Sequence, residues 1–121
     1  MILWYRRDGQ PYRDPVPETG SPAWVKMIQE VEADLRDPAT KRVGETTLPN
    51  GLWVSTVWLG INQRFGDGPP LIFETMVFKR PLSESRAPDD GRDRDSESYA
   101  TLEEALNGHA RMVQKWRDWT P

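Results

Sequence analysis

The stretch that decides the fold is LWVSTVWLGI, residues 52–61, in which large apolar side chains stand at both odd and even positions. A similar run, LIFETMVF, follows at residues 71–78. Runs that are apolar on both faces are typical of central strands, because both faces must be covered. We therefore expect residues 52–61 to form a central strand. Either this chain covers both of its faces, or helices cover one face and a partner protein covers the other.

Further strands are predicted on either side of this one. Residues 49–51 read Pro-Asn-Gly, a hairpin signal that joins residues 52–61 to a strand over residues 41–48. Residues 2–6 are apolar or aromatic for most of their length and predict a short first strand.

Two helices are indicated by their boundary residues. Ser21 is followed by Pro22, the pair expected at an N-cap and a first helical position, and the helix is expected to end at residues 37–38. Thr101 and Glu104 form a capping box that opens the last helix. The fold class is therefore α+β: a small three- to four-stranded, mainly antiparallel sheet with two helices packed on one face. Residues 1–121 are expected to form a single domain.

Residues 79–98 differ from the rest of the chain. They contain five basic and six acidic side chains, and only Leu82 and Ala87 are apolar. A segment of this composition buries little apolar surface, so we expect a flexible charged loop.

Composition excludes several classes of function. The chain has 121 residues and a net charge of −3, so no global basic field favours nucleic acid. It has no cysteine and one histidine, which excludes disulfides, thiol nucleophiles, cysteine-ligated zinc and a multi-histidine metal site within one chain. We expect no metal and no cofactor.

The N-terminus does not resemble a signal peptide. Residues 1–7 read MILWYRR, in which a short apolar run precedes the basic pair instead of following it. No apolar run approaches the roughly 20 residues of a membrane helix. We therefore expect a cytoplasmic protein without a membrane segment.

Two ionisable residues in apolar surroundings form a candidate pocket. His109 falls on the apolar stripe of the last helix, and Glu74 shares a strand face with large apolar side chains. A shared pocket, with Gln63 and Asp67 at its rim, would suit a small-ligand binder or an enzyme. The alternative interpretation is structural, with a hydrogen-bonded core histidine and a paired carboxylate. Gly108 is expected to allow close packing of the helix on the sheet.

A second set of residues forms a candidate interaction surface. Aromatic and basic side chains near the N-terminus can stack on bases and contact phosphates, and tryptophan and arginine are enriched at protein-binding hot spots. The candidate residues are Trp4, Tyr5, Arg6, Arg7, Arg42, Arg64 and Trp119. Solvated charges at a sheet edge are the structural alternative.

The order of these motifs resembles a family of small uncharacterised proteins of bacteriophages, prophages and actinobacteria. The shared pattern is VSTVWLG at 54–60, FG at 65–66, GPPLIFETMVF at 68–78, YAT at 99–101 and GH at 108–109. The family often has a histidine where this chain has Gln63, which argues against an essential ligand or base at that position.

The resemblance implies a phage-type setting in a bacterial host cell and a shared surface, but no specific activity. Since the residues offer no convincing catalytic set, the leading interpretation is a non-enzymatic accessory protein that binds a host or phage macromolecule. Inhibition of a host system is one form this could take. A protein partner is expected, and nucleic acid is the second class of partner considered. An enzyme or ligand binder built on Glu74 and His109 remains the alternative, and the oligomeric state is not predicted.

Overall fold

The computed structural model describes residues 3–79 and 93–120. The four strands form one antiparallel sheet in the order β1-β2-β3-β4, so each strand pairs with its neighbour in sequence. The α+β prediction is confirmed, with one short helix in addition to the two predicted. The elements are α1 (Pro22–Arg36), α2 (Pro38–Lys41), β1 (Arg42–Thr47), β2 (Leu52–Trp58), β3 (Phe73–Lys79), β4 (Asp93–Tyr99) and α3 (Leu102–Trp116).

Helix α3 covers one face of the sheet and contacts all four strands. The alternation of side chains along β2 turns Leu52, Val54, Thr56 and Trp58 toward this helix, where all four are buried. The intervening residues of β2 lie on the opposite face, called the outer face below, and are half-buried.

The 49–51 turn also binds the end of α3. The Asn50 side chain donates to the carbonyl oxygens of Trp116 at 2.9 Å and Trp119 at 3.0 Å. Trp116 is the last residue of α3 and its carbonyl has no partner within the helix, so the predicted hairpin turn caps it. The Trp119 side chain packs against the core cluster beside it.

Helix α1 begins as predicted. Ser21 Oγ accepts from the Trp24 backbone N–H at 3.2 Å, and Pro22 occupies the first turn. The helix buries Met27 and Val31 in the same cluster as Trp58, Phe73, Tyr12 and Ala105 of α3. The large side chains at the Trp58 end of β2 thus join α1 to the rest of the core.

Two sequence-based predictions need correction. The predicted first strand is wrong within the described residues, because Trp4 and Tyr5 form only isolated bridges, to Ile61 and Pro11. The predicted loop over residues 79–98 is wrong at Lys79, which ends β3, and over residues 93–98, which belong to β4. Residues 80–92 lie outside the described residues.

Strand β4 forms from charged residues because its acidic side chains meet cations on α3. Asp95 accepts from Lys115 Nζ at 2.7 Å and from the Trp116 indole N–H at 3.0 Å. Glu97 pairs with Arg111. The bonds from Lys115 and Trp116 lower the pKa of Asp95. Together with the Glu97–Arg111 pair, they replace the apolar contacts that a strand face normally makes.

Within the described ranges, no helix is long and apolar enough to span a membrane.

Candidate functional site

His109 belongs to a network of five polar side chains that crosses the whole sheet. Its Nε2 lies 2.8 Å from Thr46 Oγ1 of β1, and its Nδ1 lies 2.7 Å from Thr56 Oγ1 of β2. Thr56 Oγ1 lies 2.5 Å from Thr75 Oγ1 of β3, which accepts from the Tyr99 hydroxyl of β4 at 3.1 Å. This threonine–histidine network thus takes one side chain from each strand and one from α3.

Two glycines create the space for the network. A Cβ atom at Gly108 would lie 2.2 Å from the Tyr99 ring, well inside van der Waals contact. A Cβ atom at Gly44 would lie 3.1 Å from His109 Nδ1. The prediction that Gly108 allows close packing of the helix on the sheet is therefore confirmed, and Gly44 does the same from the strand side.

The electrostatics of the network favour a neutral imidazole. Burial lowers the pKa of His109, because the charged form is poorly solvated there. A neutral imidazole donates from one ring nitrogen and accepts at the other, and a threonine hydroxyl can take either part. Thr46 and Thr56 therefore satisfy both nitrogens of a neutral His109. Both ring nitrogens are occupied by threonines, so the structural interpretation of His109 fits the geometry, with hydroxyls as its partners.

Glu74 lies on the other side of the sheet from His109. Thr75 faces α3, so the neighbouring Glu74 faces outward, in register with Val57 of β2 and Ser98 of β4. The predicted Glu74/His109 pocket is therefore not formed. Period-two alternation along β3 separates the two side chains by the thickness of the sheet.

Gln63 and Asp67 lie in a third place, the loop between β2 and β3, where both are exposed. The Gln63 backbone N–H donates to the Leu71 carbonyl at 2.9 Å.

Among the residues that the structure describes, no group of three or more histidine and carboxylate side chains is arranged to hold a metal ion.

The predicted interaction surface is divided between the two ends of β2, about 20 Å apart for a strand of this length. Trp4 and Tyr5 pack against the core beside Gly60 and Ile61, and the Arg6 guanidinium lies 4.4 Å from the centre of the Tyr12 ring. Arg7 is half-buried next to Arg6. Trp119 lies at the hairpin end, so these residues do not form one patch.

Arg42 and Arg64, the other two predicted interaction residues, are engaged within the fold. Arg42 forms an ion pair with Glu45 at 3.1 Å, on the first strand of the sheet. Arg64 Nε donates to the Pro69 carbonyl at 2.7 Å and closes the loop that follows β2.

That loop, residues 62–70, is held by several hydrogen bonds. Asn62 Oδ1 accepts from the backbone N–H groups of Arg64 at 2.8 Å and Leu71 at 2.9 Å. The bonds from Gln63 to Leu71 and from Arg64 to Pro69 close it further. These four bonds join residues 62–64 to residues 69–71 and so close the loop on both sides of its tip.

The 62–70 loop presents Phe65 to solvent. The side chain has a relative exposure of 101%, the highest of the three large exposed apolar residues in the described part of the chain. Gly66 and Gly68, with φ of +85° and +129°, turn the backbone beside it. Phe65 is absent from the predicted interaction surface, although an aromatic residue inside a turn rich in glycine and proline was the available signal.

The described residues thus define a small α+β protein with a threonine–histidine network between α3 and the sheet and a hydrogen-bonded loop that exposes the Phe65 ring. No protein-family model matches the sequence. No curated protein and no solved structure matches the chain.

Proposed function

We propose that this chain is a non-enzymatic binding protein whose 62–70 loop inserts Phe65 into an apolar pocket of a partner protein. The observation that carries the proposal is the complete exposure of the Phe65 ring on a loop fixed by four hydrogen bonds. An exposed phenyl ring gains about 1.5–3 kcal/mol when it is fully buried. Within its own fold, Phe65 gains none of this free energy.

The fixed shape of the loop supports a recognition role. Binding orders side chains and loops, and this ordering opposes association. Because the bonds of Asn62 and Arg64 close the loop on both sides of Phe65, less backbone freedom is lost when Phe65 enters a pocket than in an open loop. Asp67 lies at the same tip and is exposed, so it supplies a charge at the rim of the contact, where charges act on orientation and association rate.

The state of His109 supports a binding protein over an enzyme. A general base needs a free lone pair within reach of a substrate, and both imidazole nitrogens are engaged by threonine hydroxyls. Glu74 lies on the opposite face and cannot assist it.

The biological setting rests on the resemblance described above. The phage family pattern includes Phe65 and Gly66 and continues from Gly68 through Pro70, so it covers most of the 62–70 loop. We propose a phage-associated accessory protein that acts in the cytoplasm of a bacterial host, on a host or phage protein. If the pocket that receives Phe65 is one that the partner uses for its own activity, binding would inhibit the partner.

Site-specific photo-crosslinking tests the proposal. Benzoylphenylalanine replaces Phe65 in one variant and Leu106, a half-exposed residue of α3, in the control variant. Both are expressed in a bacterial host and irradiated. We expect a discrete protein adduct from position 65 and none from position 106.

Three results would overturn the proposal. They are no adduct at position 65, the same adducts at both positions, and an adduct at position 65 that nuclease treatment removes. The last result would indicate nucleic acid, the second class of partner considered for this chain.

A further inference from the structure

A groove of about 280 Å³ lies on the outer face of the sheet, away from both the 62–70 loop and the threonine–histidine network. It is open to solvent and is lined by the end of α1, by α2, and by the first two strands. Its lining combines apolar and charged side chains, principally Leu35, Lys41, Arg42, Glu45, Trp53 and Val57.

The floor of the groove carries two apolar side chains and one hydroxyl. It is formed by Trp53, Ser55 and Val57, which stand at every second position of β2, and Leu35 of α1 also lines the groove. Phe78 packs against Trp53 from the β3 side, with ring centres 5.6 Å apart. The indole is therefore held in position beside the groove, which lies on its β1 side, and offers a surface for stacking.

The rim of the groove is predominantly cationic. Arg36, Lys41 and Arg42 face a single acidic side chain, Glu45. Arg36 is paired with Glu32 at 3.2 Å and Arg42 with Glu45 at 3.1 Å. Lys41 forms no ion pair within the described ranges, so its ammonium group is available to a ligand.

We infer that this groove binds a small planar aromatic anion, with the ring against Trp53 and a phosphate or carboxylate group at Lys41. The volume lies close to the lower end of the range for small-molecule sites, about 300 Å³. A cationic ligand would be repelled by the ammonium group of Lys41, and a neutral apolar ligand would make no use of that charge. The inference goes beyond the proposed function, since it uses different elements and requires no protein partner.

Titration followed by ¹⁵N–¹H correlation spectra of the full chain tests the inference. Two probes combine an aromatic ring with an anionic group: AMP carries a phosphate and indole-3-acetate a carboxylate. Two controls carry one of these features each: adenosine has the ring alone, and inorganic phosphate has the anion alone. We expect AMP or indole-3-acetate to shift the amides of residues 35–42 and 53–57 and the Trp53 indole N–H. The more effective of the two identifies the anionic group.

Two charge-reversal variants distinguish the groove from the general charge of the protein. Lys41→Glu should weaken binding of the effective probe about 10-fold or more, as expected for loss of a charge-assisted contact. Lys26→Glu changes the net charge equally on the exposed side of α1, outside the groove, and should leave affinity within about two-fold. The inference is overturned if neither aromatic anion shifts these signals, if inorganic phosphate binds as tightly as AMP, or if both variants weaken binding equally.

Discussion

The threonine–histidine network and the 62–70 loop are both held together by side-chain hydrogen bonds. The network faces the interior of the protein, and the loop faces solvent. Both combine side-chain hydrogen bonds with glycines that make room for close approach. In the network, every polar group is turned inward between α3 and the sheet. In the loop, the hydrogen bonds close on the loop itself, and Phe65 is left in solvent. The first arrangement therefore stabilises the fold, and the second displays a side chain.

The largest effect on stability is expected from Gly108→Ala. The added Cβ atom would lie 2.2 Å from the buried Tyr99 ring, so the ring, α3 or β4 must move. We expect a loss of about 3 kcal/mol or more in the free energy of unfolding, at the upper end of overpacking effects. Urea denaturation measures it. Asn107→Ala, one residue earlier on the exposed side of the helix, should change stability by less than about 0.5 kcal/mol.

The network also predicts a pH dependence. Burial places the pKa of His109 below its ordinary value of 6.5 in the folded state, so the unfolded chain binds the proton more tightly. The contribution of His109 to stability should therefore be complete well above pH 6.5 and should decrease as the pH falls through that value. In His109→Gln, which cannot titrate, this decrease should be absent between pH 7 and pH 5. An equal decrease in both proteins would contradict the proposed neutral state of His109.

A separate decrease is expected at lower pH. Lys115 and Trp116 hold the pKa of Asp95 below its ordinary value of 3.8, so its contribution is lost only below that value, as the carboxylate is protonated. The two decreases occupy different pH ranges, which allows the His109 effect to be measured on its own.

A smaller effect on stability is expected from Asn62→Ala in the 62–70 loop. The change removes the acceptor for the Arg64 and Leu71 backbone N–H groups, both of which can bond to water instead. We expect a loss of about 1 kcal/mol or less in stability, as for a solvent-exposed hydrogen bond. Partner affinity should fall more than this, because the free loop must be ordered on binding. Amide hydrogen exchange of residues 63–71 measures the loosening.

The sheet and the two long helices could be predicted because their signals are local. The apolar run at residues 52–61, the Pro-Asn-Gly turn and the caps at Ser21 and Thr101 act through neighbouring residues. Strand β4 could not be predicted, because Asp95 and Glu97 are stabilised by cations on α3 that are close only in the fold.

The site was harder to predict for the same reason. His109 was recognised as unusual, but its partners Thr46 and Thr56 are ordinary strand residues whose role appears only through strand register. The predicted Glu74/His109 pocket rests on the chemistry of the two side chains. It does not take into account the alternation along β3, which places them on opposite faces of the sheet. Exposure of Phe65 depends on how the 62–70 loop closes on itself.

The smallest effect on stability is expected from Phe65→Ala, which removes a ring that contacts only solvent. The free energy of unfolding should change by no more than about 0.5 kcal/mol. This is the opposite of the result expected for Gly108→Ala. Phe65→Ala should therefore remain folded and is suited to binding studies.

The most direct test of the account is the affinity of Phe65→Ala for the protein captured at position 65, measured by isothermal titration calorimetry beside the wild type and Leu106→Ala. The account predicts at least about 30-fold weaker binding for Phe65→Ala, the size of a hot-spot residue, and wild-type affinity for Leu106→Ala. Affinity of Phe65→Ala within about two-fold of the wild type would contradict the claim that the loop anchors a partner.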